Sequence, residues 1–190
     1  MQSPGSAKLE SRNLKPETQD IDARAKRIKL LLMDCDGVLT DGQLELLENG
    51  DEQKTFHARD GQGISLFHRA GWKTGIISGR TSSAVERRAQ DLKMTYVRQY
   101  AKDKVEALEE ILAAAGVSAN ECAYIGDDVG DIPVMLRVGF AVAVADAVEE
   151  TKQAAHYVTE LQGGRGAVRE VTDLILKAQG RWEKLMERFR

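Results

Sequence analysis

Cysteine is scarce: the 190 residues contain two, Cys35 and Cys122, in neither a C-x-x-C pair nor a zinc-binding spacing. A disulfide framework and a structural zinc are thereby ruled out as sources of stability, and a reducing cytoplasm is the expected setting. Neither sign of charge dominates, with 27 Lys plus Arg against 30 Asp plus Glu and a net charge of −3. A nucleic-acid partner, whose phosphates call for a surplus of cations, is therefore not expected. Long apolar runs are missing too. Runs such as Leu30 to Met33 and Phe140 to Ala145 fall far short of the roughly 18 residues of a membrane span. The polar first 27 residues lack the apolar stretch and small-residue cleavage site of a secretory signal, so no membrane partner is expected either. What is present, 42% apolar and 30% charged residues with 17 glycines against 3 prolines, describes a packed globular chain rather than a disordered or fibrous one.

At roughly 150 residues per domain, the length predicts one domain with additions. Residues 1–27 read as a flexible arm, able to turn helical from Asp20 to Arg27. From Ile28 onward, short apolar runs at Ile28 to Asp34, Trp72 to Ser78, Met94 to Val97, Cys122 to Gly126 and Gly139 to Val144 alternate with segments of helical period. Those segments are Gly63 to Ala70, Ser82 to Leu92, Asp103 to Ala115 and Asp131 to Val138, with Gly71 and Gly116 placed to end two of them. The alternation predicts an α/β fold: a doubly wound, Rossmann-like parallel sheet with helices on both faces. One segment interrupts it. Leu44 to Leu47 and Glu52 to His57 flank Asn49-Gly50, which predicts a β-hairpin over about 43–57, standing as a flap over the carboxyl end of the sheet. The domain is expected to span 28–180. Apolar residues at Val168, Val171, Ile175, Ala178, Trp182, Leu185 and Phe189 recur at steps of three and four. They predict a last helix packed on the sheet by its first half, with 181–190 its end or a tail.

The first strand candidate runs into Asp34-Cys35-Asp36-Gly37. Residues i and i+2 of a strand point the same way, so Asp34 and Asp36 leave the sheet on one side. Two carboxylates so close repel unless a cation or a shared proton intervenes. Asp and Gly are also ordinary turn formers, and this stretch alone supports a capped turn equally well. The other strand ends reduce that alternative. The second strand runs into Ser78-Gly79-Arg80, Lys104 opens the helix after the third, and the fourth runs into Asp127-Asp128-Val129-Gly130-Asp131. Each motif follows a strand and precedes a helix, so carboxylates, a hydroxyl, an ammonium and helix N-terminal amides meet at one crevice. Asp oxygens without His or Cys suit a hard cation such as Mg²⁺. The hydroxyl, ammonium and amides suit phosphate oxygens, and phosphoryl transfer is the natural reaction class.

In order and spacing, Asp34-x-Asp36-Gly37-Val38, Ser78-Gly79-Arg80, Lys104 and Gly126-Asp127-Asp128-x-x-Asp131 resemble the four motifs of the haloacid dehalogenase (HAD) phosphohydrolase superfamily. Asp36 to Gly42, Arg59-Asp60-Gly61-Gln62-Gly63-Ile64, Val142 to Ala147 and Gly163-Gly164-Arg165-Gly166 through Glu170 narrow the likeness. Over nearly all of Ile28 to Gly180 the chain resembles the 3-deoxy-D-manno-octulosonate 8-phosphate (KDO 8-phosphate) phosphatase family. That resemblance implies a HAD-like fold with a hairpin in place of a cap domain, a homotetramer, and a small-molecule sugar-acid phosphate as substrate in lipopolysaccharide precursor synthesis. It implies Asp34 as nucleophile and Asp36 as general acid and then base. Mg²⁺ would be held by Asp34, the backbone carbonyl of Asp36, and Asp127. Ser78, the Gly79 amide and Lys104 would bind the transferring phosphoryl oxygens. Asp128 and Asp131 would act behind them, through metal-bound water and the orientation of Lys104. Thr40, Arg59, Asp60, Gly61, Arg80 and Arg165 are the implied contacts of the sugar acid.

Plainer readings stand beside these. Arg59-Asp60-Gly61 also suits a turn and helix start, and Gly163 to Gly166 a flexible link. A phosphatase for a nine-carbon sialic-acid-like 9-phosphate is the nearest rival substrate, disfavoured by Arg80 and Arg165. A non-catalytic HAD-like oligomerisation module and a phosphoacceptor receiver domain are the rivals of other classes. The intact set Asp34, Asp36, Ser78, Lys104 and Asp127 speaks against the first, and the hairpin with Ser78-Gly79-Arg80 against the second. His57, His68 and His156 do not cluster, and Cys35 is expected to pack inward.

Overall fold

The computed structural model describes residues 16–48 and 50–190. In chain order the elements are α1 (Pro16–Ala25), β1 (Leu30–Met33), β2 (Glu45–Leu46), β3 (Glu52–Gln53), α2 (Ala58–Arg69), β4 (Lys73–Ile77), α3 (Ser83–Asp91) and β5 (Tyr96–Arg98). They continue with α4 (Lys104–Ala115), β6 (Cys122–Gly126), α5 (Ile132–Met135), β7 (Phe140–Ala143), α6 (Glu149–Ala154), β8 (Tyr157–Val158), α7 (Ala167–Ala178) and α8 (Trp182–Met186). Six strands form one parallel sheet in the order β5-β4-β1-β6-β7-β8. β1 lies between β4 and β6, and all four of its side chains are buried. A strand covered on both faces needs an apolar residue at every position, which is why Leu30-Leu31-Leu32-Met33 does not alternate. Helices α1, α2 and α7 pack together over one face, and α4, α5 and α6 over the other.

The expected α/β architecture is thus the observed one. From β1 the chain moves outward to β4 and β5, then crosses back to β6 and continues to β7 and β8. The loops leaving β1 and β6 part in opposite directions, and a crevice opens between them at the carboxyl ends of the strands.

Several boundaries differ from expectation. The arm is folded in part: α1 spans Pro16–Ala25, Ala25 is fully buried, and Arg24 donates to the Gly139 carbonyl at 3.0 Å. Helix α2 begins at Ala58, before Gly63. The glycines that disguise its first turns answer to packing, since a Cβ at Gly61 would lie 2.6 Å from the Arg88 guanidinium and one at Gly63 2.4 Å from the Thr172 hydroxyl. The hairpin ladder pairs only Glu45 with Gln53 and Leu46 with Glu52; Asn49 lies outside the described residues. The last helix is two pieces, α7 and α8, because Gly180 takes φ +65° between them. Elements α6 and β8 are too short to show a period, and the sequence did not foretell them.

The segment Gly163 to Gly166 is no loose link. Gly163 donates to Asp146 Oδ1 at 2.9 Å and Gly164 to the Val38 carbonyl at 2.9 Å. A Cβ at Gly163 would stand 1.7 Å from the Gly37 carbonyl oxygen, so the segment presses backbone to backbone on the loop after β1. Gly163→Ala is therefore expected to cost about 1–3 kcal/mol, the range for overpacking. Gly130→Ala, with nothing within 4 Å of its Cβ, should stay within about 0.5 kcal/mol. Urea denaturation of both variants checks this; equal midpoints would show that the docking is dispensable.

Candidate active site

The loop after β1 turns tightly over Cys35, whose carbonyl accepts from the amides of Val38, Leu39 and Thr40. Asp34 and Asp36 leave this turn on the crevice side, while Cys35 is fully buried, as expected. Burial first, and the flanking carboxylates second, push its thiol far above the ordinary range. Gly37, at φ +88°, is a glycine for a specific reason: a Cβ there would lie 2.1 Å from Asp127 Oδ2. Its absence lets the carboxylate from the β6 end reach the β1 loop.

Lys104 is the first residue of α4, and the Asp103 side chain caps that helix by accepting from the amides of Val105 and Glu106. Its ammonium stands 3.2 Å from Asp34 Oδ2 and 2.8 Å from Asp131 Oδ1. Asp131 is 1% exposed and spends both oxygens: Oδ1 also accepts from the Tyr124 hydroxyl at 2.7 Å, and Oδ2 from the Asp127 amide at 3.0 Å. Asp34 Oδ1 and Asp127 Oδ1, by contrast, are buried with no hydrogen-bond partner. Asp34, Asp127 and Asp131 each offer an oxygen within 4.8 Å of the others. Burial, more than the neighbouring carboxylates, pushes Asp34 up to about 6 and Asp127 up to about 8, with Lys104 pulling both down.

Two orphaned carboxylate oxygens in a cluster short of positive charge fit a hard divalent cation. Asp131, already saturated, is fitted to hold Lys104 and the β6 loop. Asp128 is exposed at the rim and caps the next turn through the Val129 amide at 2.7 Å.

Ser78 directly follows β4, is 3% exposed, and accepts from the Arg80 amide at 3.2 Å. With Gly79, Arg80, Lys104, Asp34, Asp36, Asp127, Asp128, Gly130 and Asp131 it lines one cavity of about 270 Å³. A larger cleft, of about 780 Å³, lies beside α7. Four of its polar side chains pair with one another, Tyr157 with Glu170 at 2.6 Å and Arg169 with Asp173 at 2.7 Å, and it holds none of the strand-end set.

The remaining sugar-acid candidates fall elsewhere. Thr40 is 2% exposed and bonded within its own loop, where its hydroxyl accepts from the amides of Gly37 and Gly42 at 3.4 and 3.3 Å. Asp60 is 1% exposed and accepts from the Arg169 amide at 2.8 Å, tying α2 to α7. Arg59 opens onto the cleft beside α7, and Gly61 makes room for Arg88. Within one chain, none of these four lines the strand-end cavity. Arg165 is exposed and pairs with Asp41 at 3.2 Å, and Arg80 Nε stands 3.7 Å from Asp36 Oδ2.

Two site residues escaped the sequence reading. Lys54 pairs with Asp36 Oδ1 and, at 3.0 Å, with Glu52 Oε2, while Arg80 also pairs with Glu52. The available signal was the two-residue period of Glu52-Gln53-Lys54, which puts both charges on one face of a hairpin that overhangs the crevice.

Comparison with known proteins is consistent with this geometry. Residues 97–170 match a family model described as haloacid dehalogenase-like hydrolase. The 3-deoxy-D-manno-octulosonate 8-phosphate phosphatase KdsC of Yersinia pestis is 46% identical over 168 residues, covering 88% of this chain and 90% of that protein. KdsC of Escherichia coli K12 is 43% identical over 169 residues, covering 89% and 90%. Among solved structures, the Moraxella catarrhalis 3-deoxy-D-manno-octulosonate 8-phosphate phosphatase in complex with magnesium, phosphate and KDO superposes with TM-score 0.88. It is 40% identical, over 90% of this chain and 99% of that one.

The raised carboxylates give a test. Asp34 and Asp127 hold protons more tightly folded than unfolded, so between the ordinary carboxylate range and about pH 8 folding takes up protons. Stability of the metal-free protein must then fall as pH rises through that window. In chelator, the thermal midpoint is expected to drop from about pH 5 to about pH 9, and Mg²⁺ to raise it more at the upper end. A magnesium shift that is absent, or larger at low pH, would contradict the assignment.

Proposed function

The chain belongs to the 3-deoxy-D-manno-octulosonate 8-phosphate phosphatase family of haloacid dehalogenase-like hydrolases, and from that membership we propose that it is a magnesium-dependent phosphatase releasing KDO and phosphate from KDO 8-phosphate. The observation that carries the reading is the single cavity where Asp34, with one unpartnered oxygen, faces Lys104, Ser78 and Asp127.

Asp34 is the nucleophile. Its carboxylate attacks phosphorus, the bond from phosphorus to the sugar oxygen breaks, and Asp36 gives a proton to the departing alkoxide. An aspartyl phosphate on Asp34 results. Asp36, now a base, takes a proton from water as that water attacks phosphorus; inorganic phosphate leaves and Asp34 is restored. The Ser78 hydroxyl, the Gly79 amide and the Lys104 ammonium hold the phosphoryl oxygens as charge redistributes over them. Asp131 steers Lys104 toward Asp34, and Asp128 acts at the rim. Asp34, Asp127 and the Asp36 carbonyl are the residues that would hold magnesium, which when bound offsets the repulsion between an anionic nucleophile and an anionic ester.

Arg80, at the cavity mouth and 45% exposed, is the nearest cation for the sugar-acid carboxylate. Arg165 and Arg59 lie outside the cavity of one chain, so this reading takes a contact from them to a neighbouring copy, while the buried Thr40, Asp60 and Gly61 act by holding the loop after β1 and the junction of α2 with its neighbours. The same reading assigns four copies to the active assembly. Leu44, Leu46 and Leu47, 49%, 73% and 45% exposed on the hairpin, support an apolar contact between copies. It also assigns the protein to the cytoplasm, in keeping with two buried, unbridged cysteines; no helix among the described residues is long and apolar enough to cross a membrane.

Phosphate release from KDO 8-phosphate, nine-carbon sialic-acid-type 9-phosphates and hexose phosphates, with Mg²⁺, tests the function. KDO 8-phosphate should have the highest kcat/KM, and a nine-carbon preference would replace the substrate while keeping the chemistry. Asp34→Asn is expected to lower turnover at least ~10³-fold, about 4 kcal/mol of barrier; near-normal turnover would remove the nucleophile assignment.

A further inference from the structure

Asp36 does not stand free in the crevice. One oxygen of its carboxylate, Oδ1, pairs with Lys54, and the other, Oδ2, has Arg80 Nε at 3.7 Å. Both cations also engage Glu52, Lys54 at 3.0 Å on Oε2 and Arg80 on Oε1. The four side chains form a closed ring of two acids and two bases, joining the loop after β1, the loop after β4 and the far arm of the hairpin. The two cations are unequal. The Lys54 side chain is 2% exposed, whereas that of Arg80 is 45% exposed.

A buried ammonium has lost its hydration and is held only by its partners, so moving it away from Asp36 would leave two charges poorly solvated. An exposed guanidinium can turn toward an incoming anion at little cost, because water replaces what it gives up. Beyond the ring, the Ser83 hydroxyl of α3 donates to Asp51 Oδ2 at 2.9 Å, while the hairpin's own ladder is two residue pairs and three of its leucines face solvent.

We propose that Lys54 is a positioning residue for proton transfer: it fixes Asp36 through Oδ1, so that when an anionic substrate draws Arg80 away, Oδ2 is left facing the scissile ester oxygen. The proposal rests on the reading of Asp36 as acid and base. The proton moves from Asp36 to the sugar oxygen, and Lys54 neither gains nor loses one. The hairpin thereby does more than cover the crevice, because seating it and aiming Asp36 become the same event.

The test uses two esters. A sugar alkoxide needs a proton to depart, whereas p-nitrophenolate does not, so a misplaced acid is felt by the first and hardly by the second. In the full-length, magnesium-loaded enzyme, Lys54→Met is expected to lower kcat/KM for KDO 8-phosphate at least ~10-fold and that for p-nitrophenyl phosphate less than ~3-fold. Lys54→Arg, which keeps a cation, should recover at least part of the preference. A loss of general structure would lower both esters alike, so an even fall, or no fall on either, overturns the proposal. Asp36→Asn, run alongside, separates the two levels. If it shows the ester bias and Lys54→Met does not, the positioning role alone fails; if it lowers both esters equally, the acid and base reading fails and takes the positioning role with it.

Discussion

Asp34, Asp127 and Asp131 present oxygens within 4.8 Å of one another at the edge of a buried sheet. At an effective dielectric of about 20, two unit charges at that distance repel by about 3 kcal/mol, which is a large fraction of a domain's net stability. The surrounding residues answer this repulsion in order of reach. Lys104 bridges Asp34 and Asp131, the Tyr124 hydroxyl and the Asp127 amide satisfy Asp131, and the remaining pair, Asp34 and Asp127, is pushed above the ordinary carboxylate range by burial first and by the neighbouring carboxylates after it. What is left over is a deficit of positive charge facing a cavity of about 270 Å³. A hard cation meets that deficit and in turn attracts the oxygens of a phosphate ester, so the arrangement that gathers the carboxylates also makes the site selective for one chemistry.

The fold exists to hold that conflict in place. A parallel sheet sends every strand's carboxyl end to the same edge, and the return from β5 across β1 to β6 opens the edge between the loops that carry Asp34 and Asp127. The covering of both faces, from Leu30 to Met33 outward, makes the sheet rigid enough that repulsion does not simply spread the loops. Gly37 lets Asp127 approach, and Gly163 braces the back of the same loop. A second charge ring, from Asp36 to Lys54, Glu52 and Arg80, joins the hairpin to this centre. The chain's net charge of −3 conceals all of it, because an anion site built from local cations, amides and a metal leaves almost no mark on the total.

Legibility in the sequence followed distance along the chain. The strands that end in Asp34, Ser78 and Asp127 were readable because each is a short apolar run followed at once by a polar motif. The arrival of Lys104 at the same edge was readable through the same logic, strand then helix, whereas its contact with Asp34 came from the structure. What sequence reasoning lost was decided by residues far away. Helix α2 looked late because Gly61 and Gly63 depress helix propensity, yet both are dictated by Arg88 and by α7. That Thr40 holds a loop and Asp60 a helix junction is likewise set by partners that the local motif does not show. Lys54 and Glu52 passed as hairpin polarity, since nothing local marks a lysine whose partner is Asp36 on a different loop.

The most direct test of the central claim counts protons. If burial, with the neighbouring carboxylates adding to it, keeps Asp127 and part of Asp34 protonated in the metal-free enzyme, binding Mg²⁺ must expel those protons. Isothermal titration of the metal-free protein with Mg²⁺ near pH 7, in buffers of different ionisation heat, measures that number. About one proton should be released per ion near neutral pH, shrinking toward zero at about pH 9 where the cluster is already ionised. Binding that releases no proton at either pH would contradict that expectation, since the carboxylates would then have coexisted as anions without the cation.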